Sequence, residues 1–180
     1  MRHEVRLAGF GGQGIILAGY ILGKAAGLYG EQEAVLTQSY GPEARGGACA
    51  AQVIISDEPV DYPLFDQADT LVLMSQAAAE KYGSTAKPRA TVLIDDGLVE
   101  IDLPGVELHG APFTRIAEEL GNRIVANIVM LGYLTGITGF VEREAMEEGI
   151  RTEVKERFIE LNLRAFERGY QRARQPEVVQ

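Results

Sequence analysis

The chain opens with a strand, a glycine turn and a helix in direct succession, an order that suits few functions. Glu4–Gly9 (EVRLAG) has the composition of a short strand. It runs into Gly9-Phe10-Gly11-Gly12-Gln13-Gly14 and then into the apolar run Ile15–Leu22. Glycines let the backbone turn sharply and approach a ligand closely. A helix that starts there aims its free N–H groups at whatever binds, which favours an anion. Gly9, Gly11 and Gly14 meet the G-x-G-x-x-G pattern. With 21 glycines in 180 residues, that pattern draws its weight from its place between strand and helix.

The rest of the chain narrows the function classes. Its length suits one domain with a sizeable core, and residues 1–180 are expected to form a single domain. A net charge of −9, with no basic arm or stripe, argues against nucleic-acid binding. The single cysteine, Cys49, can form no internal disulfide and cannot hold an iron–sulfur cluster, which takes several cysteine ligands. Its expected role is a small buried apolar residue in a strand, and a lone thiol suits a reducing cytoplasm. Met1-Arg2-His3-Glu4 leads straight to the first strand, so no signal peptide is expected. Ile124 to Val141 carries no charge and is long enough to span a membrane. It also holds Asn127, Thr135, Thr138 and several glycines, so it reads as a buried core helix ending near Gly136–Gly139.

Strands alternate with helices along most of the chain. A first helix is expected over Gly14–Tyr29 with Gly30 as its C-cap. Glu33–Ser39 follows as a strand, then a turn-rich loop, then Ala48–Ser56, antiparallel to the previous strand because the loop is too short for a helical crossover. Thr70–Ser75, Ala90–Asp95 and Val106–Gly110 read as further strands, with a helix through Tyr82. The remainder reads as helix: Thr114–Leu120, Ile124–Thr135, Glu142–Ile150, and a long one from Thr152 and Glu153 to about Arg172. Gln175–Gln180 is expected to fray. This pattern predicts an α/β fold: a three-layer α/β/α Rossmann-like domain with a mostly parallel, mixed sheet and a helical C-terminal part. The last helix carries two apolar stripes, Val154/Phe158/Leu161/Ala165 and Ile159/Leu163/Phe166/Tyr170. Their combined face is wider than one core surface needs. It suits either a helix lying in a groove of its own domain or one edge in contact with another chain. The second reading places Phe166 or Tyr170 at that contact.

Two loops carry the candidate site. The first supplies Gly9, Gly11, Gly12, Gln13 and Gly14, with the Gln13 amide free to bond a ligand or a backbone. The second, Ser39-Tyr40-Gly41-Pro42-Glu43-Ala44-Arg45-Gly46-Gly47, supplies Tyr40, Arg45 and Gly46. An arginine among glycines can present its planar fork to a carboxylate or phosphate. If the first two strands run parallel, Arg45 faces the Gly11–Gly14 helix end, and two positive elements converge. A dinucleotide site would also need an acid at the end of the second strand. That strand ends Thr37-Gln38-Ser39. His3, expected to be exposed, and His109 lie far apart with no carboxylates at ligand spacing and make no metal site. No set of residues suited to covalent catalysis stands out.

These motifs resemble a known family. Gly9–Gly14, Ser39–Gly47, Val53-Ile54-Ile55-Ser56-Asp57-Glu58-Pro59, Glu119–Gly132 and Glu160–Tyr170 are similar to the gamma subunit of the 2-oxoacid:ferredoxin oxidoreductases, over essentially the whole chain. The form Thr37–Cys49 looks most like the 2-oxoglutarate enzymes. The resemblance implies a gamma-type domain of an enzyme that oxidatively decarboxylates a 2-oxoacid, here 2-oxoglutarate, to an acyl-CoA and passes two electrons to ferredoxin. It implies thiamine diphosphate and Mg²⁺ between alpha and beta subunits and iron–sulfur clusters on beta or a delta subunit. This chain would hold none of these groups and would take part in handling CoA. Two other readings stand beside it: a self-sufficient NAD(P)- or nucleotide-binding Rossmann-type protein, and a scaffold subunit with an empty glycine loop.

Overall fold

The computed structural model describes residues 1–39 and 47–175. The loop with Tyr40, Arg45 and Gly46, and the tail expected to fray after Gln175, lie outside the described residues. The strands are β1 (Arg2–Phe10), β2 (Glu33–Ser39), β3 (Ala48–Ser56), β4 (Ala68–Leu73), β5 (Ala86–Asp95) and β6 (Glu107–Ala111). They form one sheet in the order β2-β3-β1-β4-β5-β6. β3 is antiparallel to both its neighbours, while β1, β4, β5 and β6 run parallel. Because β2 and β1 both oppose β3, they point the same way. Ser39 pairs with Ala50 and Gly9 with Cys49, so both strands end at the same edge of the sheet.

The helices are α1 (Ile15–Lys24), α2 (Gln76–Tyr82), α3 (Phe113–Glu119), α4 (Ala126–Thr138), α5 (Arg143–Glu153) and α6 (Ile159–Arg174). α1 continues as a π-helical turn, Ala25–Tyr29, and stops at Gly30. Central strands are apolar on both faces, as expected for strands covered on both sides. One face presents Val5, Leu7, Ala51, Val53, Val72 and Leu93 to α1 and the four C-terminal helices. The other presents Ala8, Ala50, Leu71, Leu73 and Val92 to α2 and to the segment around Val99–Val106. The three layers are therefore unequal, with a single short helix forming the thin one.

α4 is buried over most of its circumference, and Gly139 ends it with φ +62. Among the described residues no helix is long and apolar enough to cross a membrane. α4 is the core helix that the glycines and Asn127 of its apolar run point to. Its main partner is α6. A Cβ at Gly132 would strike the Phe166 carbonyl, and one at Gly169 the Val129 carbonyl. Glycine at both crossing points lets the two backbones approach without a side chain between them.

Three local expectations are corrected. The chain does not run as one helix from Thr152. α5 extends to Glu153, Val154 and Lys155 are extended, and a 3-10 turn, Glu156–Phe158, precedes α6. That break resets the helix so that Phe166 and Gly169 face α4. Phe166 is then fully buried in the chain's own core, which leaves the half-buried Tyr170 as the residue of that pair still open to another chain. Tyr170 stacks on it at 6.2 Å, with Arg143 and Arg174 over the Tyr170 ring. α6 needs a wide apolar face because α3, α4 and α5 all touch it. Finally, His3 is half-buried, with its ring 5.0 Å from Phe140. Cys49 lies in β3 as expected but is half-buried, and burial pushes its thiol pKa up.

Candidate functional site at the glycine turn

The turn after β1 is built to free backbone donors. Gly12 and Gly14 adopt φ +96 and +71, conformations that side chains with a Cβ resist. Gly14 caps α1 with no side-chain hydrogen bond. The first intrahelical bond is Ala18 N–H to the Gly14 carbonyl at 2.9 Å. Among the described residues the N–H groups of Gly14, Ile15, Ile16 and Leu17 donate to none. Those donors and the positive end of the helix dipole are the features that favour an anion at a helix start.

The other nominated residues divide. Gly9 is a packing position: a Cβ there would lie 2.7 Å from Gln13 Oε1 and from Ile15 Cδ1. Gly11 and Gly12 are exposed, with nothing within 4 Å of an added Cβ, so the space over the turn is open. Gln13 does not reach outward. Its Oε1 accepts from Phe10 N–H at 2.7 Å and its Nε2 donates to the Met74 carbonyl at 2.8 Å. The amide ties the end of β1 to the end of β4. The parallel direction of β2 and β1, on which the convergence of the second loop with the first depends, is met. Tyr40, Arg45 and Gly46 themselves lie outside the described residues.

Beside the turn is a cavity of about 350 Å³. It is walled by Gly12, Gly14 and Leu17 from the first motif, Asn122, Ile124, Val125 and Asn127 from the start of α4, and residues between Glu153 and Asn162. Its rim carries apolar side chains open to solvent: Leu17 is 40% exposed, Ile124 74% and Phe158 39%. Two buried carboxamides stand in the wall. Asn127 Nδ2 donates to the Gly14 carbonyl at 3.1 Å, and Asn162 Nδ2 donates to the Phe158 carbonyl at 2.8 Å. Glu153 is committed to Lys24 in a half-buried ion pair at 2.5 Å, which raises the Lys24 pKa. Lys155 is exposed and has no acidic partner among the described residues, so the cavity offers a ligand one free positive charge. Asn127, Asn162, Lys155 and Ile124 were not singled out by sequence reasoning as site residues. A polar Asn127 inside an otherwise apolar helix was the available signal.

The described residues contain no group of three or more His, Cys, Asp or Glu placed to hold a metal ion. His109 meets Glu107 at 3.1 Å on the β6 edge, away from the turn. Among the described residues the turn and cavity bring together backbone donors, carboxamides and an ammonium, with no paired nucleophile and base.

Comparison with known proteins gives the chain's family. The family model described as pyruvate ferredoxin/flavodoxin oxidoreductase matches residues 4–172. The 2-oxoglutarate synthase subunit KorC of Methanocaldococcus jannaschii is 54% identical, over 97% of this chain and 96% of its own length. The solved gamma subunit of a keto/oxoacid ferredoxin oxidoreductase from Geobacter sulfurreducens superposes with a TM-score of 0.88 at 42% identity, covering 96% of this chain and 97% of that one. A 2-oxoglutarate:ferredoxin oxidoreductase from Magnetococcus marinus, solved with 2-oxoglutarate, coenzyme A and succinyl-CoA, shares the fold. Its TM-score is 0.85 at 24% identity, covering 96% of this chain and 31% of that longer one. With a family match across nearly its full length and a relative more than half identical, the chain belongs to the pyruvate ferredoxin/flavodoxin oxidoreductase family.

Proposed function

We propose that this chain is the gamma subunit of a cytoplasmic 2-oxoglutarate:ferredoxin oxidoreductase and that its glycine turn holds the phosphates of coenzyme A. Membership of a 2-oxoacid:ferredoxin oxidoreductase makes it part of an oxidoreductase. The observation that carries the finer reading is 54% identity to a 2-oxoglutarate synthase subunit along both chains. In the overall reaction, the oxoacid loses CO₂, its acyl carbon bonds to the CoA sulfur, and two electrons pass one each to two ferredoxins, with one proton released. Thiamine diphosphate, when bound on the partner subunits, supplies the carbanion chemistry. With a single cysteine, this chain cannot supply an iron–sulfur cluster's ligands. Its own residues bind. The free N–H groups of Gly14 to Leu17 and the ammonium of Lys155 suit a pyrophosphate, and the open space over Gly11 and Gly12 admits it. The partners would be alpha and beta subunits, with delta where the clusters reside there, and ferredoxin would meet the complex.

The test is reconstitution. The chain alone should reduce no viologen or ferredoxin with any 2-oxoacid and CoA. With its alpha and beta partners it should support CoA-dependent dye reduction, faster with 2-oxoglutarate than with pyruvate. Turnover by the isolated chain would overturn the subunit reading, and a preference for pyruvate would overturn the substrate. A stand-alone NAD(P)-binding role is disfavoured because β2 ends in Thr37-Gln38-Ser39, with no acid to hold a ribose.

A further inference from the structure

We propose that the cavity between α3 and α6 binds a phosphomonoester, a small molecule whose dianionic head is held by Arg115, Arg168 and Arg172. This cavity shares no lining residue with the one at the glycine turn, and the proposal does not depend on the CoA reading.

Three observations carry it. The first is charge. The chain carries −9 overall, yet the ionisable side chains lining this cavity are three arginines and one glutamate, Glu119, a formal +2. Arginines gathered against the sign of the whole protein make a local positive field that draws anions. A phosphomonoester brings a charge of about −1.5 to −2 near neutral pH and three terminal oxygens. Those match both the excess charge and the number of guanidinium groups. A lone carboxylate brings one charge and two oxygens, which leaves half the excess unmet.

The second is the state of the donors. Arg168 donates one N–H to Glu119 Oε2 at 2.7 Å, and Arg115 Nε stands 3.7 Å from Glu119 Oε1, beyond hydrogen-bond range. Neither guanidinium makes a further hydrogen bond among the described residues. Glu119 therefore keeps the two forks near each other without using them up, and both retain N–H pairs for bidentate contact with an oxyanion. Arg115 also lies in the first turn of α3, where the helix dipole disfavours a cation, so helix stability does not account for it.

The third is room. The arginine cavity has a volume of about 340 Å³, within the range that holds small-molecule ligands, about 300–1,000 Å³. Arg172 and Gln175 also line a neighbouring cavity of about 320 Å³, whose other walls include Leu108, His109, Tyr133 and Ile137 along the β6 edge. The first cavity takes the phosphate. The second offers apolar and aromatic surface to the body attached to it, with Leu108 42% exposed. A bare ion would use one half of this arrangement, and an ester uses both.

The test uses the full ¹⁵N-labelled chain at constant ionic strength, with phenyl phosphate, inorganic phosphate and succinate as probes. Phenyl phosphate should shift the Nε–H signals of Arg115 and Arg168 and the backbone signals of Leu108 and Ile137. It should bind more tightly than inorganic phosphate, which has no body for the second cavity, and succinate should bind more weakly than either. Arg115→Gln and Arg168→Gln each remove one fork. Their side chains are 74% and 47% exposed, so neither substitution burdens the core. Each should weaken phenyl phosphate about tenfold or more, as expected for a hydrogen bond to a charged group. Arg115→Lys keeps the charge and loses the fork, so it should weaken binding as well. Should a variant fail to fold, the signals of the parent chain decide alone. Phenyl phosphate that leaves the arginine signals unmoved, or that binds the variants as well as the parent chain, overturns the proposal. Full affinity in Arg115→Lys would reveal a diffuse positive field in place of a site, and succinate binding as tightly as phenyl phosphate would overturn the ligand class.

Discussion

Gln13 offers the sharpest separation between a residue that binds ligand and one that builds the site. Its amide accepts from Phe10 N–H at 2.7 Å and donates to the Met74 carbonyl at 2.8 Å, so it joins the end of β1 to the end of β4. Gln13→Leu keeps the bulk and removes both bonds. A net intramolecular hydrogen bond contributes about 1 kcal/mol, so the loss should be about 2 kcal/mol. The two halves differ. Phe10 is 42% exposed, and its N–H can turn to water, whereas Met74 is fully buried, and its carbonyl has less recourse. For a domain of this size, about 2 kcal/mol corresponds to a melting-temperature fall of about 4–8 °C. Gln13→Glu sharpens the test. It keeps an acceptor for Phe10 N–H but sets a carboxylate oxygen against the Met74 carbonyl. The deficit should be at least as large at neutral pH and should shrink as the pH falls towards the carboxyl range near about 4.3, where a protonated carboxyl can donate. Differential scanning fluorimetry across pH reads this directly. An unchanged melting temperature, with a raised KM for CoA in the assembled enzyme, would refute the structural role and make the amide a ligand contact.

The remaining expectations concern packing and ligand choice. Gly169→Ala places a methyl on the Val129 carbonyl, a backbone atom that cannot swing aside, so α4 and α6 must separate. Urea denaturation should show a loss of at least about 1–3 kcal/mol. Arg45→Ala, at a position outside the described residues, should leave the melting curve unchanged. It should weaken CoA use in the assembled enzyme by about 1.5–3 kcal/mol in kcat/KM, the value of a charge-assisted contact; unchanged kinetics would assign Arg45 to loop structure. Calorimetric titration should find no micromolar affinity for NAD or NADP, and such affinity would revive the dinucleotide-binding reading.

Much of the sheet was legible because its signals are local. Strand β2 follows from its place between Gly30 and the turn-rich loop. The antiparallel β3 follows from a loop too short for a crossover. The core position of α4 follows from an apolar run interrupted by Asn127 and glycines. What stayed open depends on distant partners. Gln13 could bond a ligand or a backbone, and local sequence does not choose between them because its acceptor, Met74, lies 61 residues downstream. The wide apolar face of the last helix suited either a groove of its own domain or an edge against another chain. Its actual cause is that Gly132 and Gly169 let α6 settle onto α4 while α3 and α5 cover its flanks, which takes Phe166 wholly inside. A helical projection records how broad a face is and cannot record how many helices share it.

The cavity at the glycine turn follows the same logic. Its walls come from the glycine turn, the start of α4, the extended link after α5 and the start of α6. Each piece alone has an ordinary structural reading. Asn127 becomes informative once its amide is seen to hold the Gly14 carbonyl, because the bond ties the turn to the start of α4 at the cavity wall. Glu153, the acid in that wall, is neutralised by Lys24. Nothing there is equipped to abstract a proton or form a bond. On the proposed CoA reading, such a surface would act by holding one reactant where another chain's chemistry needs it, which converts an encounter in solution into an event within a complex. On this reasoning, variants of the cavity should act on the concentration dependence of CoA and leave the rate at saturation to the partner subunits.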